Sequence, residues 1–512
     1  MKIKFSYILL TTLLVLGLSF TSCDDMLRPN QIGVQTVDAT FTDFSGSLAA
    51  VNGLYGVMNN GNWFSNSLLQ IDQASDDVTN GSILIAGYSA TDYFELVEDN
   101  SMSYNLWDGF YKIIYRANVI IERVPQVKFP TLSSKNSAGL LFKNQFLGEA
   151  YFMRAFSYYN MVRLFGDVPL HLNEIKATSE INIPRSSATL VYTAIISDLE
   201  KAGDLLPPTY SNTGKGNEKG RVTKWAAKSL LADVYLTLKQ YDKAKLLALE
   251  VIQKSNRKLV PNYSDLFAKG IEGKENSDES LFEIQYANGG ATVGIPPYAS
   301  DFSYLMGQNP DPITGLQNQG SYRPTNNLDS DQETGFTGGL VQDYEAGDGR
   351  LAFYFKQTAS TGIQRYLTDK YFVAGTSSAG NTNFTLCRLA EVYLIYAESV
   401  NELGAPDATA YNLVNNLRRR AFGKPMDVVS TIDLAENMGQ SDFRDAVRLE
   451  RRRELAMENK RWFDLCRYGF EYANKVLKIN QKRNKFTVEK MLFPIPRTEL
   501  IANPLLTQNA GY

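Results

Sequence analysis

The sequence predicts a mainly α protein, a tetratricopeptide-like helical-repeat scaffold with a loop-rich insertion carrying a few short strands. Three observations predict it. Two stretches, 225–252 and 388–420, each carry two helical periods joined by a short turn, with alanines where helices would touch and a tyrosine near the first helix end. Between them, 276–380 is rich in Gly, Asn, Thr, Ser and Tyr and lacks a sustained period. Elsewhere helical stripes end at strong terminators, as at Gly166-Asp167-Val168-Pro169.

At the N-terminus, Lys2 and Lys4 precede an apolar run over 7–20 that is too short to span a bilayer. The run ends at Thr21-Ser22-Cys23-Asp24-Asp25 instead of a small-residue cleavage site. This is the pattern of a lipoprotein signal: 1–22 is the leader and Cys23 the lipidated first residue of the mature chain. One acyl chain binds a membrane only marginally, whereas two or three anchor stably. The body is then expected outside the cytoplasm, tied to a membrane it does not cross; a secreted protein with a stray cysteine is the rival. Residues 23–44 are polar and read as a tether, and about 20 extended residues reach at most ~70 Å.

From Ser47 onward helical patterns dominate. Trp107, Tyr111, Ile114 and Asn118 fall on one stripe, which predicts a core helix face. The stretch 145–165 repeats the pattern with Ala150, Ala155 and many aromatics. Ala226, Leu230, Ala232, Tyr235 and Leu236 form one helix of a hairpin; Tyr241, Ala244, Ala248 and Val251 form the other. Ala390, Tyr393, Tyr396 and Ala397, followed by Leu403-Gly404 and Tyr411, Leu413 and Leu417, repeat that arrangement. Within the insertion only short strands are possible, such as 280–286 and 364–372. Loops this long are usually functional or disordered, and their aromatic content argues against disorder. Function is expected there and in the early loop, 59–100.

Composition narrows the function classes. With 44% hydrophobic and 21% charged residues the body is an ordinary globular one. The net charge of −3 becomes −5 once Lys2 and Lys4 leave with the signal, and no basic block could follow a phosphate backbone, so nucleic acid is not an expected partner. Cys387 and Cys466, both in apolar contexts that read as helical, are expected to be buried thiols and not a disulfide framework. His171 is the only histidine, which removes zinc sites built on paired histidines and any two-histidine relay. No cofactor is expected; a calcium site made only of oxygens stays open.

Two charged clusters invite a catalytic reading. Arg448, Glu450, Arg451, Arg452, Arg453, Glu454, Glu458 and Arg461 have the spacing of mutual ion pairs on a helix, so they are read as a clamp between helices, with Glu391 and Glu398 as further partners. Asp76-Asp77 could be the acids of a glycoside hydrolase, but adjacent residues point apart and no second acid motif accompanies them; a structural or loop-capping role is expected. No GxSxG, P-loop, HExxH or GxGxxG motif occurs. The binding candidates are loop aromatics, because an aromatic plate stacks on the C–H face of a sugar while polar neighbours hold its hydroxyls. They are Trp63, Phe64, Tyr88, Tyr93 and Phe94 in the early loop and Tyr298, Phe302, Tyr304 and Tyr322 in the insertion. Trp107, Trp225 and Trp462 lie on scaffold helices, which leaves Trp63 as the one loop tryptophan; this scarcity favours peptide over glycan somewhat.

Several blocks together resemble one family. They are Cys23-Asp24-Asp25; Ala117-Asn118; Phe165-Gly166-Asp167-Val168-Pro169; Pro184-Arg185 with Asp198-Leu199 and Leu205-Leu206-Pro207; Arg388-Leu389-Ala390-Glu391-Val392-Tyr393-Leu394-Ile395-Tyr396-Ala397-Glu398; Glu454 with Glu458; Arg461-Trp462-Phe463-Asp464-Leu465; and the ending Phe493-Pro494-Ile495-Pro496, Asn503-Pro504, Gln508-Asn509, Gly511-Tyr512. This ordered set resembles the SusD/RagB family of Bacteroidetes outer-membrane lipoproteins. The resemblance implies one SusD-like domain over 45–512, with the scaffold mainly over 101–260 and 381–470, a ligand-binding insertion at about 276–380 and a C-terminal segment over 471–512. It further implies a non-catalytic, outward-facing nutrient binder that delivers oligosaccharide, or peptide in the RagB branch, to a SusC-like TonB-dependent transporter. A surface glycoside hydrolase and a purely structural repeat adaptor are the rivals from other classes.

Overall fold

The computed structural model describes residues 36–59, 64–79, 90–129, 138–210, 219–267, 275–286, 323–325, 337–358, 364–368, 370–371 and 382–512. Its principal helices are α1 (Phe44–Met58), α2 (Phe64–Asp72), α3 (Ser101–Arg123), α4 (Ala138–Phe165), α5 (Ala188–Leu205), α6 (Lys224–Thr237), α7 (Tyr241–Lys254), α8 (Leu389–Glu402), α9 (Ala408–Ala421), α10 (Gln440–Glu454), α11 (Arg461–Tyr468), α12 (Phe470–Asn474) and α13 (Arg497–Ala502). Each of α3 to α9 packs on the next. The α6–α7 and α8–α9 hairpins are the two that the sequence predicts. Among the described residues no helix is long and apolar enough to cross a membrane.

Local chemistry sets the helix ends. Asn100 caps α3, its side-chain oxygen accepting from the amides of Met102 (3.0 Å) and Ser103 (3.3 Å). Asp407 caps α9 through the Ala410 amide at 2.7 Å. Gly166 closes α4 at φ +71°, a conformation that an L side chain adopts only with strain, and a Cβ there would sit 3.0 Å from Leu492. The tether region is less free than its composition suggests. One helical turn, Val37–Thr40, precedes α1, and Asp38 pairs with Arg123 on α3 at 2.8 Å.

The insertion is a departure from an otherwise continuous stack, for α7 and α8 pack directly although more than a hundred residues separate them in sequence. Its neck is closed by the antiparallel pair β2 (Ser280–Ile284) and β6 (Phe384–Arg388), with Ser280 opposite Arg388. The expected strand 280–286 is therefore present but ends at Ile284, and the one expected over 364–372 is β5 (Gln364–Thr368). Strand β4 (Tyr354–Thr358), which pairs with β5, was not expected. Nor was β6: Cys387 stands in this strand and not in a helix, because the helical period begins only at Leu389. Both Cys387 and Cys466 are free thiols, half-buried, and burial pushes the Cys466 thiol up to about 12. Trp107, Trp225 and Trp462 are core residues.

Candidate functional site

The start of the early loop and a strand from the middle of the insertion meet at one place. Val78 of β1 (Val78–Thr79) pairs antiparallel with Pro324 of β3 (Arg323–Pro324), and Thr79 pairs with Arg323. Thr325 extends the join, its amide donating to the Asp77 carbonyl at 2.8 Å and its hydroxyl to the Asp76 carbonyl at 2.6 Å. The return of the early loop is held at the same spot. The Thr79 hydroxyl donates to Asp92 at 2.9 Å, while Arg483 pairs with Asp92 at 2.9 Å and donates to the Val78 carbonyl at 2.8 Å.

Beneath the join lies an ion cluster removed from water. Arg461 grips Asp76 with two bonds of 2.6 and 2.9 Å. Arg452 reaches Asp77 at 2.6 Å and Asp343 at 2.5 Å. Burial raises both buried aspartates. At Asp76 the Arg452 and Arg461 guanidiniums outweigh it and hold the carboxyl at about 2. At Asp77 burial prevails over Arg452 with help from the Asp76 charge, lifting that carboxyl to about 6.

A second cluster fastens the neck of the insertion to α10. Arg388 donates to Glu279 (2.9 Å), Glu454 (2.5 Å) and Glu458 (2.8 Å). Arg350 joins Asp348 (2.7 Å), Glu450 (2.7 Å) and Glu454 (3.0 Å). Arg420 bridges Glu279 and Glu454, each at 2.5 Å, and Lys370 reaches Glu458 at 2.8 Å. All these side chains are buried, and a buried charge that loses its partner is costly. Each of these carboxylates is paired with a cation, so the clusters tie the bases of the loops to the scaffold. Among the described residues no group of three or more His, Cys, Asp or Glu side chains could hold a metal ion.

Tyr93 and Phe94 illustrate how the pinned loop sorts its side chains. Phe94 has a left-handed backbone (φ 58°), and its ring is buried against Phe486 at 4.9 Å and Trp462 at 6.0 Å. Tyr93 is left outside, 52% exposed.

This architecture has known counterparts. Residues 351–512 match the SusD family, and residues 34–236 match a SusD-like family described as starch-binding and associating with the outer membrane. A SusD-like protein of Formosa agariphila is 29% identical, with 98% of this chain aligned to 99% of that one. The chain belongs to the SusD-like family. A SusD-like protein of Bacteroides ovatus is 27% identical over 93% of this chain and 84% of its own length. The fold is shared with a laminarin-binding SusD-like protein (TM-score 0.71, 24% identity, 92% of this chain and 100% of that chain). It is also shared with the surface glycan-binding protein A of Bacteroides fluxus (TM-score 0.73, 21% identity, 92% and 100%).

Within this SusD-like chain the expected site residues divide. Tyr93 is exposed and follows Asp92, the residue that holds the return of the early loop to Thr79. Phe94 is corrected from ligand candidate to core residue, since its ring fills the space between Trp462 and Phe486. Cys23, Trp63, Tyr88, Tyr298, Phe302, Tyr304 and Tyr322 lie outside the described residues, as does the side chain of Phe64. The Arg/Glu cluster is a clamp, but its partners are mostly not one another: Arg451 pairs with Glu391 and Asp464, Arg453 with Glu345, and Glu398 with Arg467. Asp76 and Asp77 are structural, as expected. Arg350, Lys370 and Arg388 were missed as positioning residues, for no local spacing marks a basic side chain whose acids come from another segment.

Proposed function

We propose that this protein is a non-catalytic, cell-surface binder that captures oligosaccharide on the surface formed by the early loop and the insertion, and delivers it to a SusC-like TonB-dependent transporter. The observation that carries the reading is the common, ion-clamped foot of the two aromatic-rich segments. Preorganising loop bases lowers the ordering cost of binding, and an exposed Tyr93 beside that foot provides an aromatic face. Trp63, Tyr88, Tyr298, Phe302, Tyr304 and Tyr322 are the stacking partners proposed from sequence, together with Phe64. The family's glycan-binding description and the laminarin-binding and glycan-binding neighbours favour carbohydrate. A RagB-like peptide binder is the second reading, favoured by the single loop tryptophan.

A screen of the mature protein against plant and host glycans and short peptides tests the proposal. Binding to at least one glycan family is expected, with the ligand recovered at its original length; binding to peptides alone would favour the second reading.

Anchoring through Cys23 and partnership with a barrel belong to the same proposal. Gentle detergent extraction should recover the wild-type protein with a large TonB-dependent barrel, and Cys23→Ala should move it to the soluble fraction, because each buried methylene contributes ~0.8 kcal/mol of membrane affinity. Recovery of a monomer alone from cells expressing the barrel contradicts the partnership, and an unchanged membrane fraction for Cys23→Ala contradicts the anchor.

A further inference from the structure

The stripe that reads in sequence as a core face lines a cavity of about 510 Å³ along α3, and none of the residues around it comes from the early loop or the insertion. Its volume falls within the roughly 300–1,000 Å³ of small-molecule sites. Trp107, Tyr111 and Tyr115 stand at four-residue spacing along it. Trp107 and Tyr111 lie 5.1 Å apart at 49°, Tyr111 meets His171 edge-on at 6.2 Å and 80°, and Tyr115 is 42% exposed. The Tyr111 hydroxyl is spent on the Pro169 carbonyl at 2.8 Å, so this ring offers a surface and not a donor.

Glu499, from α13, brings a carboxyl into the same cavity. Burial and the nearby Asp108 charge push it above its ordinary value, and the Trp107 side chain hydrogen-bonds to it. Asp108 pairs with Lys112 at 2.6 Å, and Arg116 donates to the Gly53 carbonyl at 2.5 Å. Two acids and two bases cancel, and burial lowers the His171 pKa, keeping the imidazole neutral at pH 7. The cavity therefore favours no ion. Aromatic walls beside a carboxylate acceptor suit a neutral ring with one C–H face and hydroxyl donors at its edge.

We propose that this cavity is a second carbohydrate site, which holds one or two neutral hexopyranose rings against Tyr111 and Tyr115 with ring hydroxyls donating to Glu499. The inference rests on the carbohydrate reading above. Fluorine NMR of the mature protein labelled with 5-fluorotryptophan tests it, since the four tryptophans report separately and Trp107→Phe assigns the relevant signal. Maltose, cellobiose and laminaribiose are the probes. At least one is expected to shift the Trp107 signal saturably at up to about 50 mM, above a ~1 mM dissociation constant. Tyr115→Ala, at an exposed position, and Glu499→Gln should each weaken that response about tenfold or more, by analogy with other aromatic stacking sites. No shift at Trp107 with any probe, or a shift indifferent to both substitutions, overturns the proposal. The Trp63 signal in the same spectrum reports the loop surface: a response at Trp63 alone overturns only the second site, whereas silence at both, with peptide binding in the screen, overturns the carbohydrate reading itself.

Discussion

Glu454→Ala is expected to destabilise the fold by about 3–5 kcal/mol, the usual consequence of stripping one partner from a buried ion network. Glu454 accepts from Arg350, Arg388 and Arg420 at once, at 3.0, 2.5 and 2.5 Å, and no part of it reaches solvent. Without it three guanidiniums must share Glu279, Asp348, Glu450 and Glu458, in a place where water cannot compensate. Chemical denaturation reads the loss directly. Asp445→Ala, at an exposed position on the same helix, should stay within about 0.5 kcal/mol. A Glu454→Ala protein as stable as this control would show that the network is not what holds the insertion to α10.

Stability is expected to fall steeply as pH drops below about 4.5. Burial alone would raise Glu458, but Arg388 and Lys370 overcome it and lower the carboxyl from its ordinary 4.5 to about 2. A carboxyl depressed in the folded state contributes stability above its unfolded pKa and loses it as pH falls toward the folded one, so this contribution disappears between pH 4.5 and 2. A shift of that size corresponds to about 3 kcal/mol. Asp76, also held at about 2, acts in the same direction below its ordinary 3.8. Asp77 acts oppositely: raised to about 6, it contributes less as pH rises from 3.8 to 6. Urea midpoints measured from pH 7 to 3 should therefore decline most in the lowest interval, and Glu458→Gln should flatten that decline. Parallel curves for the two proteins would contradict the assignment.

The scaffold was legible because its code is local. Alanines at helix contacts, a stripe every three or four residues and Gly166 at a left-handed helix end are all read within a few turns of chain. The neck of the insertion was not, for there the partners are distant in sequence. Leu386-Cys387-Arg388-Leu389 passes into α8 with no Gly or Pro between, so no chain breaker separates strand β6 from the helix after it. Arg461 has carboxylates three residues away on either side, Glu458 and Asp464, yet it pairs with Asp76, and Arg452 reaches Asp77 and Asp343 instead of the neighbouring Glu450 or Glu454. Composition placed Tyr93 and Phe94 together in a loop. Only the backbone at Phe94 decides that one ring turns inward and the other outward. The aromatic stripe of α3 was correctly placed on a helix, but a helical period does not distinguish a face covered by protein from one that lines a cavity.

Loop aromatics over a clamped foot are proposed to bind a glycan without cleaving it. Calorimetric titration of the best glycan from the screen into wild type and Trp63→Ala, with the recovered ligand checked for length, tests it most directly. An affinity loss of about ten- to hundredfold is expected for Trp63→Ala, since one stacking plate is worth about 1–3 kcal/mol, at unchanged melting temperature and with the ligand intact. Affinity within about twofold of wild type in a normally folded variant, or a shortened ligand, would contradict it.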